Sequence, residues 1–111
     1  MVSQTLADLL RVLVADDLKI LDLPHKLFHP QRILILKLLA RHGAVEFREL
    51  QNALGISEGN LASHLRTLER DGYISVHKEF AGRRPRTTYE LTPVGLKMFQ
   101  EFMRAMKTVV E

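Results

Sequence analysis

Three arginines fall within four positions of this 111-residue chain, at Arg83, Arg84 and Arg86, and no acidic residue interrupts the stretch between Phe80 and Tyr89. Arginine clusters of this kind contact phosphates, or enter a narrow minor groove where the negative potential is deepest. Pro85 stiffens the segment, so ordering it against a partner costs less entropy. The bland alternative is a solvated loop tip made basic for solubility.

A second constellation lies just upstream, on one face of a helix expected from Ser57 to Asp71. At 100° per residue, Leu61, Leu65 and Leu68 form the buried stripe. Gly59, Ser63, Arg66 and Arg70 lie opposite, with Asn60, Ala62 and Thr67 at the flanks. Small, hydrogen-bonding and cationic side chains on one face suit close approach to a major groove. A helix built only to be solvated would more often show Glu and Lys there. Asn60, Ser63 and Arg66 are the expected readers of base edges, and Ser57, Thr67 and Arg70 are expected to lean towards phosphates. Gly59 and His64 complete the set expected at the nucleic acid. His64 points about 60° from the centre of the buried stripe, which favours packing or a phosphate over a base. Two rival readings stand beside this: Ser57 and Asn60 as simple caps, and Arg66 with Arg70 as an ordinary solvated face.

Other chemistries find less support. His25 and His29 have the i, i+4 spacing of a metal pair with Asp22 nearby, but Pro24 argues against a regular helix across them. They read as surface or core-edge histidines, and no metal site or cofactor is expected. The chain has no cysteine, which excludes disulfides, thiolate zinc sites, iron–sulfur ligation and thiol redox switching. Its carboxylates are scattered opposite the apolar stripes, and no phosphate-binding glycine loop follows a strand, so catalysis is not expected. No apolar run approaches the ~20 residues of a membrane span. The first residues lack the pattern of an export signal, which points to the cytoplasm and away from a membrane.

The elements that must position these residues can be read in order. With 46% hydrophobic and 26% charged residues, the chain can build one core, and its length fits a single domain over 1–111. Val2, Leu6, Leu9 and Leu13, widened by Leu10 and Val14, predict an amphipathic helix from about Ser3, its N-cap, to Ala15. Residues 16–28 read as a connector with a short helical turn. Pro30 opens a mostly apolar helix that stops at Gly43, and Ala44-Val45-Glu46 reads as an extended link or edge strand. Phe47, Leu50 and Leu54 give a two-turn helix ended by Gly55. Ile56 and Leu61 staple the start of the next helix, which Gly72 ends. From Tyr73 the period changes from 3.6 to 2. Ile74 and Val76, then Thr87, Tyr89 and Leu91, predict a hairpin with a longish tip over 81–85. Thr92-Pro93 then starts a helix running nearly to Glu111. The expected fold is mainly α (α+β). A helix-turn-helix spans 47–71 and a wing hairpin spans 73–91.

The last helix carries a second message. Leu96, Phe99, Met103, Met106 and Val110 repeat at helical spacing, and Met98, Phe102, Ala105 and Val109 run beside them. A three-helix core is too small to cover both stripes and the first helix as well. Residues 1–20 and 93–111 are therefore expected to pair across a two-fold axis. Leu6, Leu9, Leu13, Leu96, Phe99, Phe102, Met103, Met106 and Val110 would form that interface. The alternative is that the two helices pack on each other within one chain. Met-rich packing is adaptable and could also leave a crevice for a small-molecule effector.

The run Ser57-Glu58-Gly59-Asn60-Leu61-Ala62-Ser63-His64-Leu65, then Leu68-Glu69 and Asp71-Gly72-Tyr73-Ile74, looks like the recognition segment of a winged-helix family. So do Phe80-Ala81-Gly82-Arg83-Arg84-Pro85-Arg86-Thr87-Thr88-Tyr89 and Leu91-Thr92-Pro93-Val94-Gly95. Together they resemble the small prokaryotic winged helix-turn-helix transcriptional regulators related to the MarR and ArsR groups, over about Leu21 to Gln100. The resemblance implies a homodimeric regulator of sequence-specific double-stranded DNA binding, with repression the simplest outcome. It brings no thiolate metal sensor, since the cysteines are missing. A protein–protein module and a ligand- or metal-responsive sensor on the same fold are the rivals. The net charge of +3 equals the three arginines of the hairpin, because the other 13 basic and 13 acidic residues cancel.

Overall fold

The computed structural model describes residues 5–111, and its helices begin where the chain supplies caps. Thr5 Oγ1 accepts from the Asp8 amide at 3.2 Å and opens helix α1, Leu6–Leu13. The expected cap Ser3, and Val2 with it, lie outside the described residues. The connector is more regular than the sequence suggests: 3₁₀ helices cover Ala15–Asp22 and His25–Leu27, with Pro24 between them. His29 caps helix α2, Pro30–His42, through Nδ1, which accepts from the Gln31 amide at 3.2 Å. Pro30 takes the first helical position, where its missing N–H costs nothing.

After α2 come strand β1 (Val45–Glu46), helix α3 (Phe47–Leu54) and helix α4 (Glu58–Arg70). Gly55 ends α3 in the left-handed conformation, at φ 64°, and so makes the tight turn into α4. Strands β2 (Ile74–Ala81) and β3 (Arg84–Leu91) form the hairpin, and β1 adds to the far side of β3 in the order β1-β3-β2. The tip is shorter than expected. Ala81 pairs with Arg84, so only Gly82 and Arg83 turn the corner, with Gly82 at φ 67°. Glycine with positive φ at the first of two turn residues matches the twist of the flanking strands. Pro85 lies within β3, where β1 pairs only as far as Thr88, so its missing N–H faces an unpaired edge.

Helix α5, Pro93–Val110, closes the domain. Thr92 caps it by accepting from the Gly95 amide at 3.0 Å, and its hydroxyl donates to the Gly72 carbonyl at 2.6 Å. A Cβ on Gly95 would fall on the Tyr73 carbonyl, so glycine is what lets α5 approach the start of the hairpin this closely.

The core gathers Leu27, Ile35, Leu36, Leu39, Leu50, Leu61, Leu65, Leu68 and Ile74 from the 3₁₀ turn, α2, α3, α4 and β2. Phe102 joins it at 3% exposure, its ring edge-on to Phe28 with centroids 5.0 Å apart. This corrects its assignment to an interface: the stripe Met98–Phe102–Ala105 turns inward, and Phe102 fills the domain's own core. Along the other stripe Leu96, Met103 and Val110 are exposed, while Phe99 and Met106 are half-buried. Helix α5 packs along the Ala15–Asp22 3₁₀ helix and α2. Helix α1 buries none of its residues.

Candidate nucleic-acid interface

Helix α4 presents the face that its periodicity predicts. Ser57, Gly59, Asn60, Ser63, Arg66 and Arg70 are exposed, and Thr67 is half-buried. Ser57 Oγ accepts from the Asn60 amide at 3.1 Å, so it caps the helix while its own O–H still faces solvent. Among the described residues Arg66 makes no ion pair, and Arg70 has only Asp71, at 3.9 Å. Two carboxylates border this face on the hairpin side. Glu58 lines a hollow with Ala62 and Pro85, and Glu69 lines a second with Arg66, Val76 and Lys78. They set negative charge on that flank, with Arg66 and Lys78 beside Glu69 in the second hollow.

His64 is not on that face, which corrects its place among the DNA contacts. It is 8% exposed and held between two side chains of α2. Its Nδ1 accepts from Arg32 Nε at 3.0 Å, which leaves Nε2 to donate to Gln31 Oε1 at 2.7 Å. Arg32 also donates to the Lys26 carbonyl at 3.1 Å, and the His29 ring lies 4.4 Å from that of His64. Burial, then His29 and Arg32, lower the His64 pKa from its ordinary 6.5, so the neutral ring is favoured. The cluster ties the back of α4 to the first turn of α2. The sequence carries a faint signal for it: polar Gln31 and Arg32 open an otherwise apolar helix. His25 lies edge-on to Phe28, so the two histidines of the suspected metal pair have separate structural partners.

The hairpin arginines divide. Arg83 sits at the exposed tip with no ion pair among the described residues. Arg84 and Arg86 reach Glu46 of β1 at 3.5 and 3.1 Å, and Arg86 also meets Glu79 at 3.9 Å. The stretch that is free of acid along the chain is therefore not free of it in space. Glu46 is half-buried while both arginines are exposed, so the guanidinium groups stay open to phosphate oxygens from the solvent side. Lys78, exposed on β2, adds a cation that spacing along the chain does not single out.

A helix-turn-helix, a small antiparallel sheet ending in a basic hairpin, and a capped closing helix are thus in place. The family model for a winged helix DNA-binding domain matches residues 31–110. The chain belongs to that family. The family is one of DNA-binding domains found in transcriptional regulators, not enzymes. This winged helix domain is 32% identical over 72 residues to protein MJ0432 of Methanocaldococcus jannaschii, covering 65% of this chain and 78% of that one. A transcriptional regulator homologue from Pyrococcus horikoshii OT3 superposes with a TM-score of 0.78 at 35% identity, over 86% of this chain and 94% of that one. NadR in complex with 4-hydroxyphenylacetate shares the fold at 23% identity and a TM-score of 0.67, over 99% of this chain and 82% of that one. Among the described residues no helix is long and apolar enough to cross a membrane.

Proposed function

We propose that this winged helix domain is a homodimeric, sequence-specific repressor that acts on chromosomal DNA in the cytoplasm. The observation that carries the reading is the exposed face of α4, small, hydroxylic and cationic, set beside a hairpin whose tip is basic. Asn60, Ser63 and Arg66 take base edges in the major groove, with Gly59 letting the backbone come close. Ser57, Thr67 and Arg70 hold phosphates, and Arg83, Arg84 and Arg86 take the flanking backbone or minor groove. Residues 1–20 and 93–111 pair two copies through Leu6, Leu9, Leu13, Leu96, Phe99, Met103, Met106 and Val110. Two recognition helices then meet half-sites about 34 Å apart.

DNA affinity against salt tests the reading. Replacing Arg83, Arg84 and Arg86 with Ala is expected to lower the salt slope by up to about 0.9 for each phosphate no longer neutralised, twice over in a dimer. If affinity and slope both stay unchanged, the hairpin takes no part in binding. A second reading adds a small-molecule effector in the hollow of about 550 Å³ between the 3₁₀ helix and α5, lined by Lys19, Leu23, Glu101 and Arg104. NadR, which holds a small aromatic acid on this fold, supports it.

A further inference from the structure

Phe80 is 74% exposed, one residue before the end of β2. Packing within the chain gives no reason for it. Every residue from His77 to Arg86 is exposed, and the core residues of the hairpin end near its base. A solitary surface aromatic needs no explanation, but this one is not solitary. Phe80 faces Pro85 directly across the ladder, so the two form an apolar ridge at the end of the hairpin. Strand alternation puts the ridge on the same side as Lys78 and Thr87, then Val76 and Tyr89. Those residues line the hollows beside Ala62, Arg66 and Glu69, so this is the side of the hairpin turned towards α4. Two cations stand beside the ridge, Lys78 two residues before Phe80 on the same face and Arg83 at the turn, while Arg84 and Arg86 alternate to the opposite face, where they meet Glu46.

We propose that Phe80, backed by Pro85, is a wedge that enters the minor groove beside the site of α4 and kinks the duplex there. The proposal rests on the DNA-binding reading above and deepens it. Reach supports it first. Four residues separate the Val76–Tyr89 pair from the Phe80–Pro85 pair, which is about 13 Å of strand. Half a helical repeat, on the order of 17 Å, separates major from minor groove on one side of a duplex. Shape supports it next: the minor groove is about 6 Å wide, too narrow for the ribbon but open to one ring at its end. Chemistry supports it last. Phe and Pro are among the apolar side chains that part a base step, and cations beside the wedge neutralise the phosphates that a kink crowds together. A wedge parts flexible pyrimidine–purine steps at least cost, so Phe80 would select TA or CA/TG in the flank without any hydrogen bond to a base.

The test uses the full chain and a 40-base-pair duplex that it has itself enriched from a random pool. Bending is read by energy transfer between end labels, and unstacking by 2-aminopurine placed in the flanking step. The wild-type chain is expected to bend the duplex by at least about 20° and to brighten the 2-aminopurine. Phe80→Ala should abolish both signals and weaken binding by about tenfold, with the salt slope unchanged because every phosphate keeps its cation. Phe80→Leu, which keeps an apolar wedge, should retain most of the bend. A straight wild-type complex, or a Phe80→Ala complex bent and bound like wild type, overturns the proposal. So does a change of solution mass in Phe80→Ala, which would assign the ring to contact between chains. A wild-type chain that enriches no duplex removes the DNA-binding reading itself, and the wedge with it.

Discussion

His64 shows how a residue can be legible in type and misplaced in role. Its angle on α4 leaves it between the buried stripe and the outer face, and only the fold decides. Its two partners, Gln31 and Arg32, stand more than thirty residues away, so no local pattern could reveal them. The same holds for Glu46, which meets Arg84 and Arg86 only because β1 pairs with β3. The His64 cluster makes a testable demand on pH. Its bonds need Nδ1 as an acceptor, and a protonated ring would turn a second N–H against Arg32 while His29 adds to the repulsion. The folded pKa lies below the ordinary 6.5, so between the two values the unfolded chain binds more protons. This contribution to stability is therefore complete above about pH 6.5, falls as the pH drops towards the folded value, and levels off below it. Urea midpoints from pH 7.5 to 5 should show that decline in the wild type. His64→Gln should be less stable at pH 7.5 and show a shallower decline. An equal decline in both proteins would place the linkage elsewhere.

At the scale of elements the chain is easier to read, because caps and stops act locally. Pro30, Gly43, Gly55, Ser57, Gly72 and Thr92 each mark a boundary the structure places within a residue or two. The elements with weak local signals are harder. Residues 16–28 lack helical periodicity yet wind into two 3₁₀ helices, the first of them packed against α5, a choice made by tertiary packing. The outer hairpin carries only the one apolar pair Phe80–Pro85 among polar neighbours, so no repeating alternation tells strand from loop. Pairing across the ribbon extends it to Ala81 and Arg84. The Leu91–Gly95 junction shows sequence and packing agreeing for a reason that propensity alone misses. Glycine at the third position of a helix is ordinarily unfavourable by about 1 kcal/mol relative to alanine. Here the Tyr73 carbonyl occupies the space a methyl would need. Gly95→Ala should therefore destabilise the domain, by about 2 kcal/mol after the gain in helix propensity. A melting temperature lower by about 10 °C in calorimetry would show it. A variant that melts at or above the wild type would mean that α5 can shift at no cost.

The whole molecule is too long for its size. Its principal extents are 78 × 26 × 23 Å and its radius of gyration is 18.5 Å, whereas a compact chain of this length has about 13 Å. The excess length goes with apolar surface. Helix α1 exposes Leu6, Leu9, Leu10 and Leu13, the last at 76%, and α5 exposes Leu96, Met103 and Val110. An amphipathic helix that buries none of its residues in its own chain has little reason to fold alone. The two-fold pairing proposed above would give α1, which buries none of its residues within one chain, and the outward stripe of α5 a partner together. Light scattering at micromolar concentration should then give about 25 kDa, twice the 12.7 kDa of one chain, and the melting temperature should rise with protein concentration. Leu13→Glu and Met103→Glu, made separately, should each shift the mass towards one chain by placing a charge in the shared apolar layer. Their DNA affinity should fall with the mass, because one recognition helix then reads one half-site. If Leu13→Glu dissociates the pair and Met103→Glu does not, α1 alone joins the copies and the outward stripe of α5 has another use. A wild-type chain that scatters as 12.7 kDa across the micromolar range removes the two-fold pairing altogether.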